Sequence, residues 1–249
     1  MRIGFLGTGH IAAPLARALA RDGHAVSVSD RNAKTAADLV SSNLGILAEP
    51  NQTVLDASDI VFLTLRPAIW AEVASPLAWR PDHQIVSAMA GVTIAQITTA
   101  CAPVTDVSVT LPLGHIETGG CPLPTHPTKS PVTTLFGTSN PIIPLAEEAD
   151  LTAYFAASSL LTAALTTLIA TSDWLAAETG AKGDAEAYAK GLAASYLMSL
   201  PGTMAEARAG LATPNTLNQA MLDALTNINT EPTIHAALTK MTAAMRSRP

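Results

Sequence analysis

Near the start of the chain an apolar run, RIGFL, breaks into the stretch GTGHIAAPLARALA. Gly7, Gly9 and Ala12 stand there in the spacing G-x-G-x-x-A between a strand pattern and an alanine-rich helix pattern. Each small residue answers a steric need. A glycine at position 7 permits the tight turn, one at position 9 lets the backbone approach a bulky anion, and an alanine at position 12 lets the helix close on the strand. The first N–H groups of the helix then point at that anion. A second strand pattern, AVSVSD, ends at Asp30, 23 residues after Gly7. That context predicts a pyrophosphate-binding dinucleotide fold, with His10 and Ile11 also in the binding loop.

The edge of the nucleotide is read at SVSDRN. Asp30 stands where a carboxylate would bond the ribose hydroxyls of NAD, whereas Arg31 is placed to pair with the 2′-phosphate of NADP, and Ser29 could donate to either. An arginine reaches over a turn while the carboxylate rotates away. NADP is therefore the expected cofactor, with NAD possible.

Further along, short β-branched runs alternate with helical patterns, which predicts a parallel sheet with crossover helices. Strands are expected at 2–7, 25–30, 59–67, 84–91 and 104–112, and helices at 11–23, 33–45 and around 70–77. The Pro-rich stretch 111–131 reads as loops with one edge strand, because proline cannot donate to a central ladder. From Glu147 onward only helical periodicity remains, broken at 180–183, 201–202, Pro214 and Pro232, and one long helix runs to about Glu178. At the turn TPNTLNQ, Thr213 or Asn215 is expected to cap the following helix. The expected fold class is α/β: a Rossmann dinucleotide-binding domain over 1–145, then an all-helical dimerisation and substrate domain over 146–249.

Charge and composition narrow the partners. The net charge of −6, with scattered Lys and Arg, argues against nucleic acid and for a small-molecule substrate. The uncharged stretch 151–172 is long enough to suggest a membrane span. It carries eight Ser and Thr residues and lacks the flanking basic residues that orient a span, so it reads as a helix buried in a homodimer rather than in a membrane. Cys101 and Cys121 are the only cysteines and no secretory signal is evident, which predicts free thiols and a cytoplasmic protein. His115, Cys121 and His126 lack metal-ligand spacing, so no metal is expected. His115 and Glu117, close together in a loop, could form an acid/base pair, although a surface hydrogen bond is the more frequent outcome for such residues.

Three stretches together resemble the pyrroline-5-carboxylate reductase family: MRIGFLGTGHIA, DIVFLTLRP and IVSAMAGVTIAQI. They keep the family's order and spacing over the first ~100 residues. The resemblance implies a homodimer with interleaved helical domains, an active site at the junction of the domains, and NAD(P)H-dependent hydride transfer to a C=N, or C=O, bond. It places Leu65, Arg66 and Pro67 beside the nicotinamide ribose and Ala90 and Gly91 along the nicotinamide, and it marks a divergent member. The family's M-P-N-T-P run appears as VTLP, so Thr110 or Leu111 replaces the asparagine. Its S-G-S-G-P-A-Y helix start appears as FAASSLLTA, leaving Ser158. Its S-P-G-G-x-T turn appears as TPNTLN, with Asn215 and Thr216 in place of glycines and Asn218 in place of the hydroxyl that meets the imine nitrogen.

The catalytic candidates are thus Asn218, Ser158 and Thr216. Asn218 can donate a hydrogen bond but passes a proton less readily than a hydroxyl. The altered set also motivates a second reading, a dimeric protein that binds and senses a dinucleotide without turning over a substrate. A β-hydroxyacid-dehydrogenase-like enzyme is the other alternative, weakened because no lysine lies between Lys129 and Lys182 to serve as its acid/base. Short-chain reductases lack support because none of the three tyrosines is followed four residues later by lysine. A pyrophosphate fingerprint does not by itself separate a nicotinamide cofactor from a flavin.

Overall fold

In the computed structural model, which describes residues 1–247, the apolar runs of the first half become the strands of one sheet. In chain order the elements are β1 (Arg2–Leu6), α1 (Ala12–Arg21), β2 (Ala25–Ser29), α2 (Ala33–Val40), β3 (Leu47–Glu49), α3 (Asn51–Asp56) and β4 (Ile60–Leu63). There follow α4 (Trp70–Ala74), β5 (Gln84–Ser87), α5 (Ile94–Ala100), β6 (Asp106–Thr110), β7 (Leu123–His126), α6 (Pro131–Phe136) and β8 (Ile142–Pro144). The sheet order is β3-β2-β1-β4-β5-β6-β7-β8. Strands β3 to β6 are parallel, β7 runs antiparallel to β6, and β8 is parallel to β7.

Strand β4 shows why the sheet is buried on both faces. Its four residues are all buried, and they alternate between two cores. Ile60 and Phe62 point into one with Ile3, Leu15 and Val28, where Phe5 and Phe62 stack at 4.8 Å. Val61 and Leu63 point into the other with Leu6, Ile85, Ile97 and Trp79. Continuous apolar runs of this kind are what a parallel sheet covered by helices requires.

The expected parallel sheet is present, and several details differ. Helix α2 ends at Val40 rather than at Gly45, because Asn43 and Gly45 both take positive φ, +58° and +70°. Strand β7 is not the expected edge strand but lies inside the sheet despite Pro124. The Leu123 N–H and the Thr125 carbonyl face β8, at 2.8 Å from the Pro141 carbonyl and 2.9 Å from the Leu145 N–H. The N–H that Pro124 lacks would therefore fall on the β6 side, just past Thr110, the last paired residue there. Strands β3 and β8, of three residues each, are too short to show a period-2 pattern.

Residues 1–155 form one compact unit and 156–247 another. The last two residues of the expected helical domain, 248 and 249, lie outside the described residues. The expected long helix is two: α7 (Leu151–Ala157) and α8 (Leu160–Thr179), separated at Ser158 and Ser159. Helices α9 (Lys182–Ser199), α10 (Met204–Leu211), α11 (Leu217–Asn227) and α12 (Thr230–Arg246) complete the chain. The break expected at Pro232 lies earlier, at Asn229 with φ +54°, and Pro232 sits in the first turn of α12, where its missing N–H has no helical acceptor to lose.

Helix α8 packs along α9 but only its Ser172 is buried. Leu160, Leu161, Leu165, Ile169 and Trp174 are all at least half exposed in the single chain. Four of the five threonines of this helix turn their polarity inward: the hydroxyls of Thr166, Thr167, Thr171 and Thr179 donate to the carbonyls one turn back, at 2.8 to 3.2 Å. By length and composition alone, the stretch Glu148–Thr179 could cross a membrane.

One buried titratable group stands directly before β5. His83 is fully buried, and its Nδ1 accepts the Arg80 N–H at 3.1 Å, which puts the ring proton of the neutral form on Nε2. Nε2 faces the Leu55 carbonyl without closing a hydrogen bond. Burial, with the Arg80 charge nearby, holds the imidazole below its ordinary range. Protonation would set a second N–H against that of Arg80. The native state therefore resists a proton that the unfolded chain accepts, so stability from this residue is complete above the unfolded value of about 6.5 and is lost as pH falls below it. We predict that urea midpoints fall from pH ~7 to pH ~5 with a contribution from His83 of up to about 1.4 kcal/mol per pH unit, and that His83→Gln flattens the slope. An unchanged slope in the variant would refute the assignment.

Candidate functional site

The glycine turn sits where the strand order reverses, between the C-terminal ends of β1 and β4. In open α/β sheets this switch point is where ligands bind. Gly7 leaves β1 with φ +99°, and a Cβ there would lie 2.8 Å from the Thr64 carbonyl oxygen, so only glycine fits. Its N–H donates to Ser29 Oγ at 3.0 Å, and the Thr64 hydroxyl donates to its carbonyl at 2.6 Å. The Thr8 hydroxyl donates to the Ser29 carbonyl and the Asn32 amide to the Thr8 carbonyl, both at 2.8 Å. The turn is thus pinned from the ends of β2 and β4 and from the start of α2.

Gly9 is glycine for a different reason. Nothing lies within 4 Å of where its Cβ would stand, so the missing side chain leaves open space above the turn. Behind it Ala12 is fully buried at the start of α1, and no side chain caps that helix. Uncapped N–H groups beside an open glycine are a fitting cradle for a pyrophosphate. His10 is exposed on the turn and Ile11 is half-buried next to it.

The other cofactor candidates gather along the same edge of the sheet. Asp30 and Arg31 are exposed just after β2. Leu65, Arg66 and Pro67 follow β4, and Ala90 and Gly91 follow β5, with Gly91 at φ +77°. Neither Arg31 nor Arg66 makes an ion pair with a described residue, so both guanidinium groups are available to an anion. Ser29 differs from its expected placement at the ribose: it is 1% exposed and lies beneath the turn.

The substrate candidates lie in the helical unit. Thr216, rather than Thr213 or Asn215, is the N-cap of α11. Its hydroxyl accepts the Gln219 N–H at 3.2 Å and donates to the Thr213 carbonyl at 2.7 Å. Asn215 takes φ +66°, a conformation that asparagine tolerates better than most residues, so the chain keeps a left-handed turn without a glycine. Asn218 is exposed as the second residue of α11. Ser158 is half-buried in the break between α7 and α8.

The remaining sequence candidates take structural roles. Thr110 is buried with its hydroxyl 3.2 Å from that of Thr125. Glu117 pairs with Arg21 at 3.4 Å, while His115 is exposed. Cys121 and Cys101 are buried, and burial alone pushes the Cys101 thiol up to about 12, which removes it as a nucleophile. Among the described residues no three metal-capable side chains cluster. Sequence alone does not single out Thr8, Asn32 or Thr64. Only Asn32 carries a signal, as an asparagine directly before a helix, and it does cap α2 by accepting the Thr35 N–H.

Comparison with known proteins bears on this geometry. Residues 2–91 match the family described as NADP oxidoreductase coenzyme F420-dependent. No curated protein matches the chain by sequence. Among solved structures, 1-pyrroline-5-carboxylate reductase from Streptococcus pyogenes is similar with a TM-score of 0.82 at 18% identity, over 99% of this chain and 98% of that one. Pyrroline carboxylate reductase from Plasmodium falciparum, with NADP bound, gives 0.82 at 13% identity over 99% and 97%. A reductive aminase from Aspergillus terreus, in complex with NADPH and ethyl-5-oxohexanoate, gives 0.61 at 16% identity over 98% and 92%. From end to end, the chain has the fold of the pyrroline-5-carboxylate reductases.

Proposed function

We propose that this protein is an NADPH-dependent reductase of the C=N bond of a small molecule and works as a homodimer. The observation that carries the reading is the open glycine turn at the switch point of a sheet with the pyrroline-5-carboxylate reductase fold. The similar Plasmodium falciparum and Aspergillus terreus proteins hold NADP and NADPH, which supports the same cofactor here. When bound, the cofactor supplies a hydride for the imine carbon.

The chain's own residues then have distinct tasks. The N-terminal N–H groups of α1 hold the pyrophosphate, and Gly9 lets it approach. Arg31 would pair with the 2′-phosphate and Asp30 would bond a ribose hydroxyl. Leu65, Arg66, Pro67, Ala90 and Gly91 line the nicotinamide end. Asn218 and Ser158 take the polar groups of the substrate. The Asn218 amide donates a hydrogen bond to the imine nitrogen but has no proton to give up, so the proton that completes the amine comes from water. Because the Thr216 hydroxyl is already engaged at both ends, it acts by holding the start of α11.

The dimer supplies a cover for α8. A helix that is apolar nearly all round and exposed in one chain needs a partner surface. Leu165 and Ile169, each 57% exposed and one turn apart, fall in the centre of it. We expect the chain to sediment as a dimer in detergent-free buffer and the double change Leu165→Glu, Ile169→Glu to yield a folded monomer. A monomeric unaltered chain would exclude the dimer.

A panel of cyclic imines with and without a carboxylate, together with small carbonyl compounds plus amines, is expected to give imine-dependent NADPH oxidation for at least one member. Tight NADPH binding with no turnover across the panel would favour the second reading, a dinucleotide sensor, for which the Asn215, Thr216 and Asn218 set is the motivating observation. Arg31→Ala is expected to raise the KM for NADPH about tenfold, ~1.4 kcal/mol, and to leave that for NADH within about twofold. Equal effects on both cofactors would remove Arg31 from the phosphate site.

A further inference from the structure

Gly7 is held on both of its sides by hydroxyl groups from the two strands that flank β1. From β2, Ser29 Oγ accepts its N–H at 3.0 Å. From the end of β4, Thr64 Oγ1 lies 2.6 Å from its carbonyl and 3.2 Å from that of Leu6. A hydroxyl has one proton to give, and the shorter contact takes it. Ser29 is buried beneath the turn and Thr64 is half-buried behind it.

Gly7 has the left-handed φ at which the chain swings from strand toward helix. The peptide planes that follow, including the N–H groups at Gly9 to Ala12, inherit their direction from it. Hydrogen bonds to an anion weaken steeply as the angle opens, so a small rotation at Gly7 is felt by several donors at once.

We propose that Thr64 and Ser29 are positioning residues that set the affinity of the turn for the pyrophosphate of a dinucleotide, acting through Gly7. This inference rests on the NADPH reading above. It assigns Ser29 a role beneath the loop and gives Thr64, which lies outside the glycine motif, a share in cofactor binding.

The test compares NADPH with 2′-phosphoadenosine, a fragment that keeps the 2′-phosphate and lacks the pyrophosphate, by calorimetry on the full chain and its variants. Thr64→Val keeps the shape and removes the hydroxyl, and we expect it to weaken NADPH about tenfold and leave the fragment within about twofold. Thr64→Ser restores the hydroxyl and is expected to restore NADPH affinity. Ser29→Ala asks the same question from β2, also if Thr64→Val does not fold, and is expected to weaken NADPH selectively. Unchanged NADPH affinity in Thr64→Val and Ser29→Ala would overturn the inference, as would equal losses for NADPH and the fragment, or a Thr64→Ser variant as weak as Thr64→Val. An unaltered protein that binds no NADPH would overturn the dinucleotide reading itself, and this inference with it.

Discussion

The close approach of Gly7 to the Thr64 carbonyl is the constraint on which the candidate site depends. At that point β1 and β4 are neighbours although three helices and two strands separate them in the chain. A side chain at position 7 would force the two ends apart, because the atom it meets is backbone and cannot swing aside. With glycine there, β1 can end against β4, and the turn, the uncapped start of α1 and the loop bearing Arg66 all open on one edge. The motif is therefore a packing requirement as well as a ligand requirement.

How much of this was legible in the sequence follows from the length and regularity of each segment. The strands β1, β2, β4, β5 and β6 are apolar runs buried on both faces, a pattern strong enough to give the parallel sheet. Predicted ends overshot where a backbone turn, rather than a loss of apolar residues, stops the element: Asn43 and Gly45 after α2, and the Thr64 to Pro67 loop after β4. Three-residue strands and the six-residue helices α3 and α6 carry too few residues for periodicity to register. Pro124 departs from the rule in a specific way: proline argues against an inner strand, yet here its missing N–H falls at the last rung beside β6, where its carbonyl still accepts the Leu111 N–H.

The candidate site divides along the same line. Its glycines were legible because their spacing is set by geometry common to all such turns. The bonds that hold them were not, because Thr8, Asn32 and Thr64 come from segments far apart in sequence and only the folded sheet brings them together. On the helical side the sequence identified the residues that differ from the resembled family. The structure adds what their chemistry is occupied with: Thr216 spends its hydroxyl on a cap, and Asn215 supplies the left-handed turn.

The threonines of α8 have a further consequence. Counted by composition they dilute the helix's hydrophobic character, but with their hydroxyls bonded back to the helix they present mostly methyl groups to the surroundings. The exposed face is thus greasier than its sequence suggests. In the proposed homodimer, a newly made chain whose helical unit has folded before it meets its partner would hold this face open to anything apolar in a crowded solution, so pairing would have to outrun indiscriminate sticking. For such a dimer, the yield of the native protein and its resistance to heat would depend on how concentrated the chain is as well as on how well each unit folds.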